Sequence, residues 1–238
     1  GLGANRKTGG GFCCIESGLC MTGNQATIAR IRNQDNLATG VAQFLGLFPD
    51  MKPIVEALPD IPLRARRPGF EGMAEIITAQ QVSKASASAI FSRTRDAIQP
   101  FDAQTFLAAG EAPLIEAGQS RAKQATLTGL AEALVEERLD LETLCEVPVD
   151  QAMQQLTALH GIGPWTAEVF LLFCAGHSDV FPAGDVALQH AMAMICELPA
   201  KPDTATTRKL ATRWAPLRGI AARILYAHYA LIRGRSAL

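Results

Sequence analysis

Apolar residues recur along most of this chain three and four positions apart, the spacing of one helical face, and alternating runs of strand type are few. "DNLATGVAQFLGLF" (35–48) opens with Asp35 as its cap, and "FEGMAEIITAQQ" (70–81) sets Phe70, Met73, Ile76 and Ile77 along one face. "SKASASAIFSRTRDAI" (83–98) starts at a serine able to cap its first turn, and its many Ala and Ser residues predict close helix packing. A short segment from Asp102 follows, then "SRAKQATLTGLAEALVEE" (120–137), "DQAMQQLTAL" (150–159), "DTATTRKLATRW" (203–214) and "APLRGIAARILYAHYALI" (215–232). About ten helices and no convincing strand predict an all-α protein. The expected division is discontinuous: a helical bundle over residues 69–178, packed against a second unit built from 21–68 and 179–238.

Residues 1–20 break the pattern. They hold six glycines and three of the six cysteines without a helical period, and read as a leader or expression remnant. The remainder has the composition of a folded domain: of 238 residues, 48% are hydrophobic and 19% charged. No apolar run reaches the roughly 18 to 20 residues of a membrane span, so no membrane partner is expected and the predicted location is the cytoplasm. Cys13, Cys14, Cys20, Cys145, Cys174 and Cys196 form no CxxC pair and no zinc or iron-sulfur spacing, and Cys174 and Cys196 read as buried thiols.

Charge is balanced overall, at −1, but unevenly distributed. From Lys201 onward come Lys201, Arg208, Lys209, Arg213, Arg218, Arg223, Arg233 and Arg235 against the single acid Asp203, while Glu111 to Asp150 holds nine acids and three bases. Such segregation permits a basic face suited to phosphate, and chance surface patterning produces it too.

Chemistry concentrates in "LHGIGPWTAEVFLLFCAGHSDVFPAGDVALQH" (159–190). Gly161 and Gly163 bracket Ile162, and Pro164 follows where the next helix begins, a position at which proline loses no hydrogen bond. The predicted product is a tight turn whose bare N–H groups and helix N-terminus suit a phosphate oxygen, with Leu159 and Ile162 plugging it into the core. The carbonyls of Thr157, Leu159 and Ile162 are candidate ligands for a monovalent cation against a nucleic-acid backbone. An ordinary joint between two helices has the same pattern. Asp185 begins the helix "DVALQHAMAMIC", where the dipole favours an anion and where an Asp is also an ordinary cap. The helix from 164 to 175 extends roughly 18 Å and the loop from 176 to 184 spans at most about 30 Å, so Asp185 can share a cleft with Trp165.

The order L-x-G-I-G-P-W-T-A, a helix, D-V-F-P and then Asp185 resembles the helix-hairpin-helix DNA glycosylase superfamily. "ITAQQVSKASA" (77–87), "GQSRAKQATLTGLAEAL" (118–134) and "WAPLRGIAARILY" (214–226) resemble the 3-methyladenine DNA glycosylase II family in sequence and order, over roughly residues 35–232. The resemblance implies a two-domain helical fold with an interdomain cleft, like the shorter members that lack the amino-terminal β-rich domain. It implies a double-stranded DNA partner carrying a damaged base, a monomeric enzyme and no cofactor.

It also assigns roles. Asp185 is the carboxylate that stabilises an oxocarbenium-like sugar as the base departs. Trp165 stands where strand-nicking relatives carry a lysine nucleophile, which implies a monofunctional enzyme that leaves an abasic site. Trp165, Tyr226 and Phe170 are the candidate aromatic walls for a flipped, alkylated purine, and each also reads as core packing. Gly161, Ile162, Gly163, Pro164 and Thr166 form the candidate DNA-binding hairpin. Gln80 and Gln81 match the segment that fills the gap left by the base, or serve as helix-end residues. Arg218, with Arg223, is a candidate phosphate contact. Gly184 stands where relatives often show a second acid, Asp179 reads as a loop or supporting residue, His160 adjoins the hairpin, and Trp214 reads as core. Two rivals stay open: a glycosylase for uracil or an oxidised purine, and a catalytically silent DNA-binding module, which would have no need of Asp185.

Overall fold

The structure, a computed structural model, describes residues 27–234. The segment 1–20 lies outside the described residues. Within them the chain forms α1 (Gln34–Leu47), α2 (Lys52–Glu56), α3 (Phe70–Thr78), α4 (Lys84–Ala97), α5 (Ala103–Ala109), α6 (Ala112–Ala117) and α7 (Arg121–Val135). It continues with α8 (Leu141–Leu144), α9 (Val149–Thr157), α10 (Pro164–Phe173), α11 (Val186–Ile195), α12 (Thr204–Ala211) and α13 (Arg218–Ile232). Among the described residues the one β-type pairing is an isolated antiparallel bridge between Arg30 and His177.

Local chemistry places most helix starts. Asn33, Ser83, Asp102, Ser120, Asp140, Asp185 and Asp203 each turn a side-chain oxygen onto a free N–H of the first turn. Each such cap stabilises its helix by about 1 kcal/mol. Three local expectations need correction. Asn33, accepting from Asn36, caps α1, and the expected cap Asp35 lies inside the first turn. The helix predicted over 70–81 ends at Thr78, because Gln81 takes a left-handed φ of 55° that breaks the ladder. The Ala and Ser residues of α4 are mostly exposed, since only Ala87, Phe91 and Thr94 of that helix are buried.

α10 is the central element, buried at every position from Thr166 to Phe173. A helix apolar on all sides must be surrounded, and α10 packs on α3 and α9. α3 in turn packs on α4 and α7, and α7 on α5. On the other side α13 packs on α1 and α11, and buries Trp214, expected as core, near its start. Gly219 permits that packing: a Cβ there would lie 2.6 Å from the His177 carbonyl oxygen. Its own N–H donates to the Ser178 carbonyl at 2.7 Å.

Arg223 of α13, 2% exposed, ties distant segments together. Its guanidinium donates to the carbonyls of Leu63 and Leu172, both at 2.6 Å, and lies 4.9 Å from the Phe173 ring centre. The phosphate contact expected of Arg223 is therefore wrong. Burial lowers its pKa to about 10, and charge-assisted bonds to two carbonyls offset that desolvation.

Candidate active site

The hairpin joins α9 to α10. Gly161 takes φ 81° there, and a Cβ on it would fall 1.8 Å from Thr126 Oγ1, so both the conformation and the space demand glycine. Ile162, 3% exposed, plugs the turn into the core, while Gly161, Gly163 and Pro164 are exposed. His160 is exposed beside them. The Leu159 carbonyl accepts the Ile162 N–H at 3.2 Å. One lone pair of that oxygen is left for the cation expected at the carbonyls of Thr157, Leu159 and Ile162.

Gln80 takes the second of its two expected roles, that of a helix-end residue. Its amide nitrogen donates to the Gly161 carbonyl at 3.0 Å and to Thr166 Oγ1 at 2.9 Å, bracing the hairpin from the end of α3. Two expected DNA contacts are thereby corrected, because the Gln80 amide N–H groups are committed internally and the Thr166 side chain, 2% exposed, faces inward to receive one of them. Gln81 is exposed at the α3–α4 turn, with the left-handed backbone already noted.

Asp185 caps α11 and does more than cap it. Oδ1 accepts from the N–H groups of Ala187 at 2.9 Å and Leu188 at 3.4 Å, while Oδ2 accepts from the Trp165 indole N–H at 3.0 Å. Asp185 and Trp165 are both half-buried, so the carboxylate and the indole sit at the edge of solvent. The loop that delivers Asp185 is fixed at both ends. Asp179 at its start grips Arg218 through both carboxylate oxygens, at 2.8 and 2.7 Å, and accepts the Arg218 backbone N–H at 3.0 Å. Near its end the Asp185 N–H donates to the Pro182 carbonyl, and buried Gln189 donates to the Ala183 carbonyl at 3.0 Å.

Arg218 is thus not the free phosphate contact expected of it, since its fork is occupied by Asp179, which also raises its pKa. Three further bases of the described part of this segment are also engaged. Arg208 pairs with buried Glu168, Arg213 with Asp50, and Lys201 donates to Gln189.

Tyr226 is electrostatically coupled to the carboxylate. Burial first, then the charge of Asp185 and a hydrogen bond to it, raise the Tyr226 pKa well above that of a free phenol. Its ring packs 5.8 Å from that of Phe173, and the Arg64 guanidinium lies over it at 5.4 Å. Arg64, which sequence reasoning missed, has its pKa lowered by burial, with Tyr226 and Asp185 opposing the shift. Phe170 is corrected outright: at 0% exposure it is enclosed in the core and offers no face to a base. At Gly184 a Cβ would meet Thr204 and Trp165 at 3.8 Å, ordinary contact, so sterics do not explain why an acid is missing there.

The hairpin, Trp165 and Asp185 all lie within the stretch that a known sequence family matches. Residues 74–216 match the family described as HhH-GPD superfamily base excision DNA repair protein. The chain belongs to the HhH-GPD superfamily. It is 29% identical over 211 residues to the probable bifunctional transcriptional activator/DNA repair enzyme AlkA of Mycobacterium tuberculosis, covering 84% of this chain. The chain spans 42% of the length of that relative. It is 31% identical over 170 residues to DNA-3-methyladenine glycosylase 1 of Schizosaccharomyces pombe, covering 66% of this chain and 71% of the relative. Among solved structures, the S. pombe 3-methyladenine DNA glycosylase in complex with abasic DNA superposes with a TM-score of 0.67 at 22% identity. That superposition covers 81% of this chain and 90% of the other, and it establishes the all-α HhH-GPD fold.

Proposed function

We propose that this protein is a monofunctional DNA glycosylase that hydrolyses the N-glycosidic bond of alkylated purines in double-stranded DNA and leaves an abasic site. The observation that carries this reading is the placement of Asp185. Two main-chain N–H groups fix one oxygen, the Trp165 indole fixes the other, and the residue is only half-buried. An anion so held stabilises the positive charge that the sugar acquires as the base leaves, and aligns the attacking water. Preorganisation matters because the donors need no rearrangement when the charge appears.

The remaining parts fit this chemistry. The exposed turn at Gly161, Gly163 and Pro164 offers its N–H groups and a helix N-terminus to a phosphate, and Gln81, the residue we assign to the gap left by a flipped base, is exposed. Trp165, an indole where a lysine would form a Schiff base, supports release of the base without strand cleavage. The discontinuous division is part of the proposal: Trp165 belongs to the unit of residues 69–178, Asp185 to the unit of 21–68 plus 179–238, and damaged DNA binds a monomer along the cleft between them. The name of the fission-yeast relative, DNA-3-methyladenine glycosylase 1, supports this substrate class.

The test is release of 3-methyladenine and 7-methylguanine from methylated duplex DNA by the native protein and by Asp185→Asn. Release by the native protein, lost in Asp185→Asn while duplex binding persists, is the expected result. If neither protein releases a base yet both bind duplex, the silent-module reading replaces this one.

A further inference from the structure

Gln189 stands one turn after Asp185 on α11, and its main-chain N–H donates to the Asp185 carbonyl at 2.9 Å. The residue is 4% exposed, and its side chain turns back onto the loop that precedes the helix. There the amide nitrogen donates to the Ala183 carbonyl at 3.0 Å and to Oγ1 of Thr204, the first residue of α12, at 3.3 Å. The amide oxygen accepts from the Lys201 ammonium at 2.6 Å. An amide fits such a place either way round, and its neighbours choose between the two. Here they leave one choice, because an ammonium only donates and a main-chain carbonyl only accepts. Lys201, exposed on the connection between α11 and α12, therefore holds the Gln189 donor against Ala183. The clamped carbonyl lies two residues before Asp185, with Gly184 between them. Glycine is the freest pivot in a chain, so a fixed Ala183 carbonyl sets the direction in which Asp185 leaves the loop. Gly184 itself faces Thr204 and Trp165, both of which an added Cβ would meet at 3.8 Å.

We propose that Gln189 and Lys201 are positioning residues for base release: the Lys201 ammonium orients the Gln189 amide, the amide fixes the Ala183 carbonyl, and across Gly184 this relay aims the Asp185 carboxylate at the Trp165 indole. The proposal rests on the glycosylase reading and deepens it by naming what holds the acid in place. Neither residue touches the sugar or the base; both act through Asp185. The helix cap alone leaves this direction open, because the Ala187 and Leu188 N–H groups fix Oδ1, whereas the indole at 3.0 Å fixes Oδ2. Direction matters to the chemistry, since a group displaced by about 1 Å from its reacting partner loses about a hundredfold in rate.

Three substitutions test the relay. Gln189→Glu keeps the shape, but beside the Lys201 ammonium its carboxyl is ionised and has no proton to give to Ala183. Lys201→Met keeps the stem and removes the cation, and Lys201→Arg restores one. Each variant is read in two ways. Single-turnover release from alkylated duplex at saturating protein, set against the duplex Kd, separates positioning from binding. A proton–nitrogen correlation spectrum shows the indole groups of the two tryptophans, Trp165 and Trp214, and the Trp165 signal, assigned with Trp165→Phe, reports the bond to Asp185. Gln189→Glu is expected to lower the rate by about tenfold to a hundredfold, with the Kd within about twofold of native, and to move the Trp165 signal toward its position in Asp185→Ala. Lys201→Met does the same to a smaller degree, and Lys201→Arg reverses it. Native rates and an unmoved Trp165 signal in both Gln189→Glu and Lys201→Met overturn the proposal. A lower rate with that signal unmoved also overturns it, because partial unfolding weakens the signal without shifting it. If the native protein releases no base, the glycosylase reading falls, and the indole signal by itself decides whether the relay places Asp185.

Discussion

The Trp165 indole N–H and the Asp185 carboxylate meet at 3.0 Å although twenty residues separate them in the chain. That bond joins the first turn of α10 to the cap of α11, and it orients the oxygen that α11 leaves free. Trp165→Phe keeps an aromatic ring and removes the donor. Base release is expected to fall by roughly tenfold to a hundredfold, the range for a hydrogen bond to a charged group. Single-turnover kinetics on alkylated duplex checks this, with the melting temperature close to native because the indole is only half-buried.

Asp185 serves two functions that different substitutions separate. Asn caps a helix as well as Asp does, so Asp185→Asn should melt near the native protein while base release drops by about a hundredfold to a thousandfold. Asp185→Ala loses the cap as well and should cost about 1 kcal/mol of stability. Paired denaturation and release measurements distinguish the two.

Gln80 tests whether the hairpin needs its brace. Gln80→Ala removes the donors to the Gly161 carbonyl and Thr166 Oγ1, roughly 1–2 kcal/mol of stabilisation in total. The expected outcome is weaker duplex binding with a nearly unchanged rate at saturation. Gly161→Ala should be worse in both respects, since the new methyl would overlap Thr126. Binding titrations against single-turnover rates separate affinity from chemistry.

Arg223→Met should destabilise the fold by about 3 kcal/mol, because the carbonyls of Leu63 and Leu172 lose charge-assisted partners in a dry interior. Urea denaturation reads the loss directly.

His177 gives a pH signature. Burial first, then the nearby positive charge of Arg30, lowers its pKa to about 4 from the usual 6.5. The unfolded chain thus binds the proton more readily than the folded one, so the contribution is fully present above about pH 6.5 and disappears as pH falls toward about 4. Denaturant unfolding measured from neutral to acidic pH should show this decline, and His177→Asn should flatten it.

Much of the candidate site was legible without coordinates. The glycines of the hairpin, the proline at the start of α10, Trp165 and Asp185 are local or motif-borne signals, and the helices follow from a period and from caps that act over three or four residues. Phe170 and Arg218 misled for one reason: an aromatic in a buried helix and an arginine near a helix start look alike whether they face a ligand or a protein partner. Which it is depends on residues far along the chain, Asp179 in the case of Arg218.

By itself, then, the sequence determined an all-α chain and its hairpin, because those are written in spacings of a helix turn or two, and it offered Asp185 and Trp165 as candidates through a motif of some twenty residues. Only the tertiary structure decided that Gln80 braces the hairpin, that Arg223 ties down the strap, and that Arg64 lies over Tyr226. Those contacts span 81 to 162 residues of chain. No local pattern encodes such a meeting, since it arises only when packing around α10 brings the segments together.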